Sequence, residues 1–105
     1  MAGQRRRTVR IWDTATGSAV GQPLTGHTGG VRAVAAFTGP GGRTLLATGS
    51  DDQTVRIWDV FGRTCLAVLT LHVSIAGLAA ITDQHLAVGT HAGVVVLDVS
   101  EVMPP

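Results

Sequence analysis

The chain has no lysine, a single glutamate and a single cysteine, and no apolar run that approaches the length of a membrane span. Each of these absences excludes something. With no Lys and one Glu, strong helix formers are scarce, while Gly occurs 14 times and Val, Ile and Thr are frequent, which is the composition of strands and turns. Cys65 can form no intrachain disulfide, so nothing points to an oxidising compartment. Arg5, Arg6, Arg7 and Arg10 are followed by polar residues rather than by the apolar core of a signal peptide. No stretch is long enough for a membrane helix, and a cytoplasmic location is expected. Neither sign of charge dominates: the net charge of +1 argues against nucleic acid or an anionic membrane as a partner. All eight basic residues are Arg, and this Arg-, Ala- and Gly-rich bias is that expected of a GC-rich, bacterial genome. The length of 105 residues bounds the chain to one domain, and an apolar fraction of 45% is ordinary for a folded protein.

What the chain does have is an internal repeat. Thr8–Asp13 reads TVRIWD, and so does Thr54–Asp59, 46 residues later. A fixed period of this size marks a repeat architecture, whose units need neighbours to bury their faces. Short β-like runs alternate with turn signals about every ten residues, the spacing of all-β folds. Strands are expected at Thr8–Asp13, weakly at Ser18–Leu24 (confined to an edge by Pro23), and at Val31–Phe37, Leu45–Ser50, Thr54–Val60 and Cys65–Leu71. The clearest turn is Gly39-Pro40-Gly41-Gly42. A looser copy follows: Ile75–Ile81 matches Val31–Phe37, LAVGT at Leu86–Thr90 matches LATGS at Leu46–Ser50, and VVVLD at Val94–Asp98 matches VRIWD at Val55–Asp59.

The run of Gly26-His27, a strand, a Pro-Gly turn, LATGSDD and TVRIWD resembles a WD repeat of the β-propeller family. The likeness covers residues 8–99. It implies an all-β partial propeller of about nine antiparallel strands, in two to three blades of the four-stranded type. Residues 8–25 would supply strands c and d of a partial blade, 26–71 one complete repeat, 72–99 a degenerate repeat, and 100–105 a tail. The resemblance also implies a structural hydrogen-bonded tetrad of His27, Thr48, Asp52 and Trp58, with Ser50 as the alternative hydroxyl. Independently, a buried indole N–H, hydroxyl and imidazole each need a partner. Asp52 would accept from His27, His27 from Thr48, and Thr48 from Trp58. The flanking units depart from this pattern. The first has Trp12 but no upstream His, and Arg6 at the place of Asp52. The third keeps His72 but has Val88, Ala92 and Leu97 at the other three places.

Other chemistry is weighed against blander readings. His27, Asp52 and Ser50 do not make a nucleophilic triad, because no strained nucleophile turn or oxyanion hole accompanies them. The spacing of His27, His72, His85 and His91 matches no metal-ligand pattern. The Arg5–Arg7 run has no interleaved aromatic residues and reads as a solvated end. Cys65 reads as a buried structural thiol with no neighbouring cation, and Trp12 and Trp58 read as packing residues. No catalytic residue, cofactor or metal is expected.

The function expected from the resemblance is a non-catalytic scaffold for protein–protein interaction. The d–a and b–c loops would present Thr28, Gly30, Asp51 and Gln53 to a protein or peptide. The alternative is a truncated structural fragment, or the C-terminal end of a larger regulator with an ATPase, kinase or protease domain. Its partner would then be the remaining blades of its propeller, in the same chain or in an oligomer.

Overall fold

The computed structural model describes residues 7–13, 15–19, 23–39, 42–62, 64–82 and 85–99. Arg5, Arg6, the Pro40-Gly41 part of the expected turn and the tail lie outside these residues. The described residues form nine strands: β1 (Trp12–Asp13), β2 (Ser18–Ala19), β3 (Val31–Thr38), β4 (Thr44–Ser50), β5 (Thr54–Asp59), β6 (Thr64–Thr70), β7 (Ile75–Ala80), β8 (His85–Thr90) and β9 (Gly93–Asp98). All pairings are antiparallel. The sheets run β1-β2, β3-β4-β5-β6 and β7-β8-β9, so the architecture is all-β and agrees with a partial propeller. Among the described residues only the middle sheet has four strands.

The two sheets after the first follow the expected runs to within a residue or so at each end. The first does not. Of Thr8–Asp13 only Trp12–Asp13 is strand, of the described part of Ser18–Leu24 only Ser18–Ala19 is strand, and an isolated bridge joins Val9 to Leu24. An isolated two-stranded ladder is marginal in water, and this sheet has no third strand among the described residues.

One core joins the middle and last sheets. Leu45 and Ala47 of β4 and Val55 and Ile57 of β5 cluster with Ile75, Leu86, Val88 and Val99. The period-two alternation of a strand sends these side chains to one face of the middle sheet. β7 packs across β3 and β4 to cover that face. Burying each Leu or Ile in this way stabilises by roughly 1.5–3 kcal/mol. Gly49 permits the close approach: Ile75 Cγ2 occupies the space a Cβ on Gly49 would take, and Ile75 Cβ lies 2.9 Å from that position. β3 and β7 begin alike, each with an irregularity in register after its first residue, between Val31 and Ala33 and between Ile75 and Gly77.

Candidate functional site

Four side chains from four segments meet at one end of the middle sheet. Trp58 lies on β5, Thr48 on β4, Asp52 in the β4–β5 turn and His27 in the loop before β3. Trp58 pairs with Leu46 and Arg56 with Thr48, so Thr48 and Trp58 are diagonal neighbours, two register positions apart on the same face of the β4–β5 ladder. The Trp58 indole N–H donates to Thr48 Oγ1 at 2.9 Å. Thr48 Oγ1 lies 2.7 Å from His27 Nε2, and His27 Nδ1 lies 2.9 Å from Asp52 Oδ2. A carboxylate only accepts, so Nδ1 carries the proton and Nε2 accepts the Thr48 hydroxyl. The bonds therefore run in one direction, Trp58 to Thr48 to His27 to Asp52. His27, Thr48 and Trp58 are all buried. The hydroxyl in the chain is that of Thr48. Ser50 Oγ instead accepts the Asp52 backbone N–H at 3.0 Å.

The Ser50–Thr54 turn holds the carboxylate. Gln53 N–H closes the turn on Ser50 O at 3.2 Å, and Gln53 takes the left-handed conformation with φ of 73°. Asp52 Oδ1 accepts from the Thr54 backbone N–H at 3.0 Å and from the Thr54 hydroxyl. Asp52 Oδ2 also accepts the Thr28 backbone N–H at 3.0 Å. Burial alone would raise the Asp52 carboxyl. The hydrogen bonds from Thr54, His27 and the Thr28 and Thr54 backbone outweigh it and hold the group well below the usual carboxylate range. Gly29 lets loop and turn touch, since a Cβ there would lie 2.8 Å from the Asp52 backbone nitrogen.

A second clamp on the same loop was not foreseen from sequence. Arg56 donates to the Gly26 carbonyl at 3.1 Å, and its guanidinium lies 5.9 Å from the Trp58 ring centre. Its Nη1 also points at Cys65 Sγ, 3.6 Å away. Cys65 is thus half-buried and does have a neighbouring cation, contrary to the sequence reading. The signal was present: a lone Arg two positions before Trp in an apolar strand must share the Trp face.

Of the four expected surface residues, Thr28 and Gln53 are exposed and Asp51 is half-exposed. Gly30 is not on that surface: it is buried, and its carbonyl accepts the Asp51 N–H at 3.0 Å. Arg32, missed from sequence, pairs with Asp51 at 3.2 Å beside them. Trp12 departs further from expectation. It is 57% exposed, against 3% for Trp58, because no counterpart of Thr48 or His27 lies beside it among the described residues. In the last sheet Thr90 Oγ1 accepts the Ala92 N–H at 3.1 Å, as Ser50 accepts that of Asp52, but the turn carries no carboxylate. His72 and His91 are exposed, and His85 is engaged with Thr82. Among the described residues no three His, Cys, Asp or Glu side chains are grouped to hold a metal ion.

Comparison with known proteins bears on the segment that carries these residues. Residues 18–59 match the family described as "WD domain, G-beta repeat". The chain is similar to "Nuclear distribution protein PAC1" of Arthroderma otae, 45% identical over 60 residues, which are 57% of this chain and 12% of that protein. It is 47% identical over 58 residues to "Nuclear distribution protein nudF 2" of Aspergillus clavatus, covering 55% of this chain and 12% of the relative. It is 38% identical over 71 residues to "Coatomer subunit beta'-1" of Arabidopsis thaliana, covering 63% of this chain and 7% of the relative. The chain thus matches about a tenth of the length of these relatives. They are fungal and plant proteins and lend no support to a bacterial origin.

Proposed function

We propose, from the premise that residues 18–59 of the chain are a WD repeat, that the protein is a non-catalytic scaffold that presents a rigid pair of loops to a protein or peptide partner. The observation that supports it is the buried relay from Trp58 to Asp52. It ties the loop before β3 to the β4–β5 turn without using the outward side chains of Thr28, Asp51 and Gln53. A loop fixed before binding loses little entropy on complex formation. Arg32 adds a donor to this face and Asp51 an acceptor, so the partner surface is polar and carries charge of both signs. The relay itself has the character of a structural lock, because each of its polar atoms is spent on its neighbour.

The proposed location is the cytoplasm, where a lone thiol such as Cys65 stays reduced. Among the described residues no helix is long and apolar enough to cross a membrane. A second reading takes the chain as one segment of a larger propeller-bearing regulator. It is favoured by the exposed apolar strand Val94, Val95 and Val96 on β9.

Site-specific photo-crosslinking tests the scaffold reading. A crosslinker placed at Gln53 should capture a defined protein from cells, and the same group at exposed Val68 on β6 should not. The capture should be lost in the Asp51→Lys variant. Equal capture at both positions, or none at Gln53, removes the reading.

A further inference from the structure

The strand registers repeat the pattern of the interface between the middle and last sheets at two further faces, each of which has exposed apolar side chains among the described residues. At that interface Ile75 and Leu78 of β7 enter the space above Gly49, with Ile75 Cβ at 2.9 Å and Leu78 Cδ1 at 3.4 Å from a Cβ position there. Gly49 pairs with Val55, and Ala47 with Ile57, so Gly49, Val55 and Ile57 share the covered face. Both apolar side chains on it are fully buried.

The same pattern recurs in the last sheet, uncovered. Gly89 pairs with Val94 and Ala87 with Val96, placing Gly89, Val94 and Val96 on one face. Val94 is 74% exposed and Val96 55% exposed. Gly89 has no local reason to be glycine: its φ is not in the left-handed region, and the nearest atoms a Cβ would meet are those of the Gly77 backbone, at the ordinary contact distance of 3.8 Å. Glycine inside a strand costs stability and often marks close approach by another segment. No such segment covers Gly89 within the described residues.

The complementary surface lies on β3. Val31 pairs with Ser50 as Ile75 pairs with Thr90, and Val34 pairs with Thr48 as Leu78 pairs with Val88. The irregularity after Val31 and after Ile75 falls at the same place. Val31 and Val34 are therefore the counterparts of the side chains that fill the space above Gly49. Val34 is 54% exposed.

We propose that the Gly89–Val94–Val96 face of one copy receives the Val31–Val34 face of a second copy, head to tail, in the packing that Ile75 and Leu78 make on Gly49 within the chain. The occupant is a second copy because the chain itself carries both halves, and because the interface continues one already built inside the molecule. Such a contact joins two different surfaces, so it propagates from copy to copy until it closes or is blocked. It goes beyond the scaffold reading and uses none of Thr28, Arg32, Asp51 or Gln53, so either can fail alone.

Sedimentation equilibrium of the full chain tests the assembly. The wild type should show a mass above the 10.8 kDa of one chain, rising with concentration. Gly89→Val fills the receiving space, and Val34→Asp puts a charge on the inserting face. Each variant alone should sediment as one chain while keeping a cooperative melt. Mixed in equal amounts, they should form a dimer and stop there, because each retains the half that the other has lost. If Gly89→Val fails to melt cooperatively, Val94→Asp blocks the same face from an exposed position. A wild type that stays monomeric at the highest concentration that remains dissolved overturns the proposal and leaves these faces to repeats of other chains. Variants that still associate singly, or a mixture that stays monomeric, overturn it as well.

Discussion

Trp12 and Trp58 sit in identical hexamers, yet one is open to solvent and the other is sealed. The difference lies in what arrives from elsewhere in the sequence. Trp58 is met by Thr48 across the ladder and by Arg56 on its own strand, and these two in turn hold the loop carrying His27. Trp12 is met by a two-residue partner strand. A motif thus sets a potential for burial, and partners far along the chain realise it. The middle and last sheets repeat the lesson: Val88 stands at the register place of Thr48 and Leu97 at that of Trp58, so the last sheet has no buried indole to satisfy and no relay.

This contrast can be broken most forcefully at its buried end. Trp58→Ala should cost about 3–5 kcal/mol, through loss of a large buried side chain and of the Thr48 bond. Chemical denaturation would measure it, and a cost under about 1 kcal/mol would show that the relay holds nothing together. Thr48→Val imports the residue of the last sheet with little change in shape. It leaves the indole N–H and His27 Nε2 without partners and should cost about 1–3 kcal/mol. If instead the melt is unchanged, burial rather than hydrogen bonding explains the fit of Trp58.

Arg56→Met keeps much of the stem but drops the bond to Gly26. The expected cost is about 1–2 kcal/mol, with faster amide exchange confined to the loop before β3. Uniform exchange across the sheet would argue that Arg56 acts only by packing.

Acid sharpens the comparison by direction rather than size. The folded-state pKa of Asp52 lies below its unfolded value, so its contribution is complete above the ordinary carboxyl range. That contribution is lost as pH falls from there towards the lowered folded value. Asp52→Asn should therefore flatten the decline of stability with falling pH in that window. An unaltered acid slope would place the sensitivity elsewhere. Trp12→Ala gives the smallest effect, within about 0.5 kcal/mol, as for exposed positions away from special features. A large cost there would mean that Trp12 is covered in solution.

The strands of the middle and last sheets were legible because alternation and turn residues report on a single strand and its immediate ends. The members of the relay were implied by the resemblance, with Thr48 and Ser50 both open as the hydroxyl, and donor and acceptor chemistry supplied only their expected order. Other features depend on contacts between segments, which no local pattern contains. Gly30 looks like a loop glycine, but its carbonyl is taken by the β4–β5 turn and it is buried. Cys65 looks isolated along the chain, although the strand pairing brings Arg56 to its sulfur. The short β1–β2 hairpin is the strongest case, because the same letters that make a six-residue strand in β5 make two residues of strand where neighbours are few.

The Thr48 hydroxyl has one proton to give, and His27 takes it. Its oxygen is thereby turned to receive the indole, and the order of donors cannot be reversed while Asp52 is ionised. Anything that disturbs the Asp52 carboxylate at the loop surface is felt, three bonds inward, at an indole ring. The chain has a second indole at Trp12, but that one is already in solvent and insensitive to such a change. Trp58 is therefore a native optical probe: occupancy of the loops could be followed by its emission, with no label added.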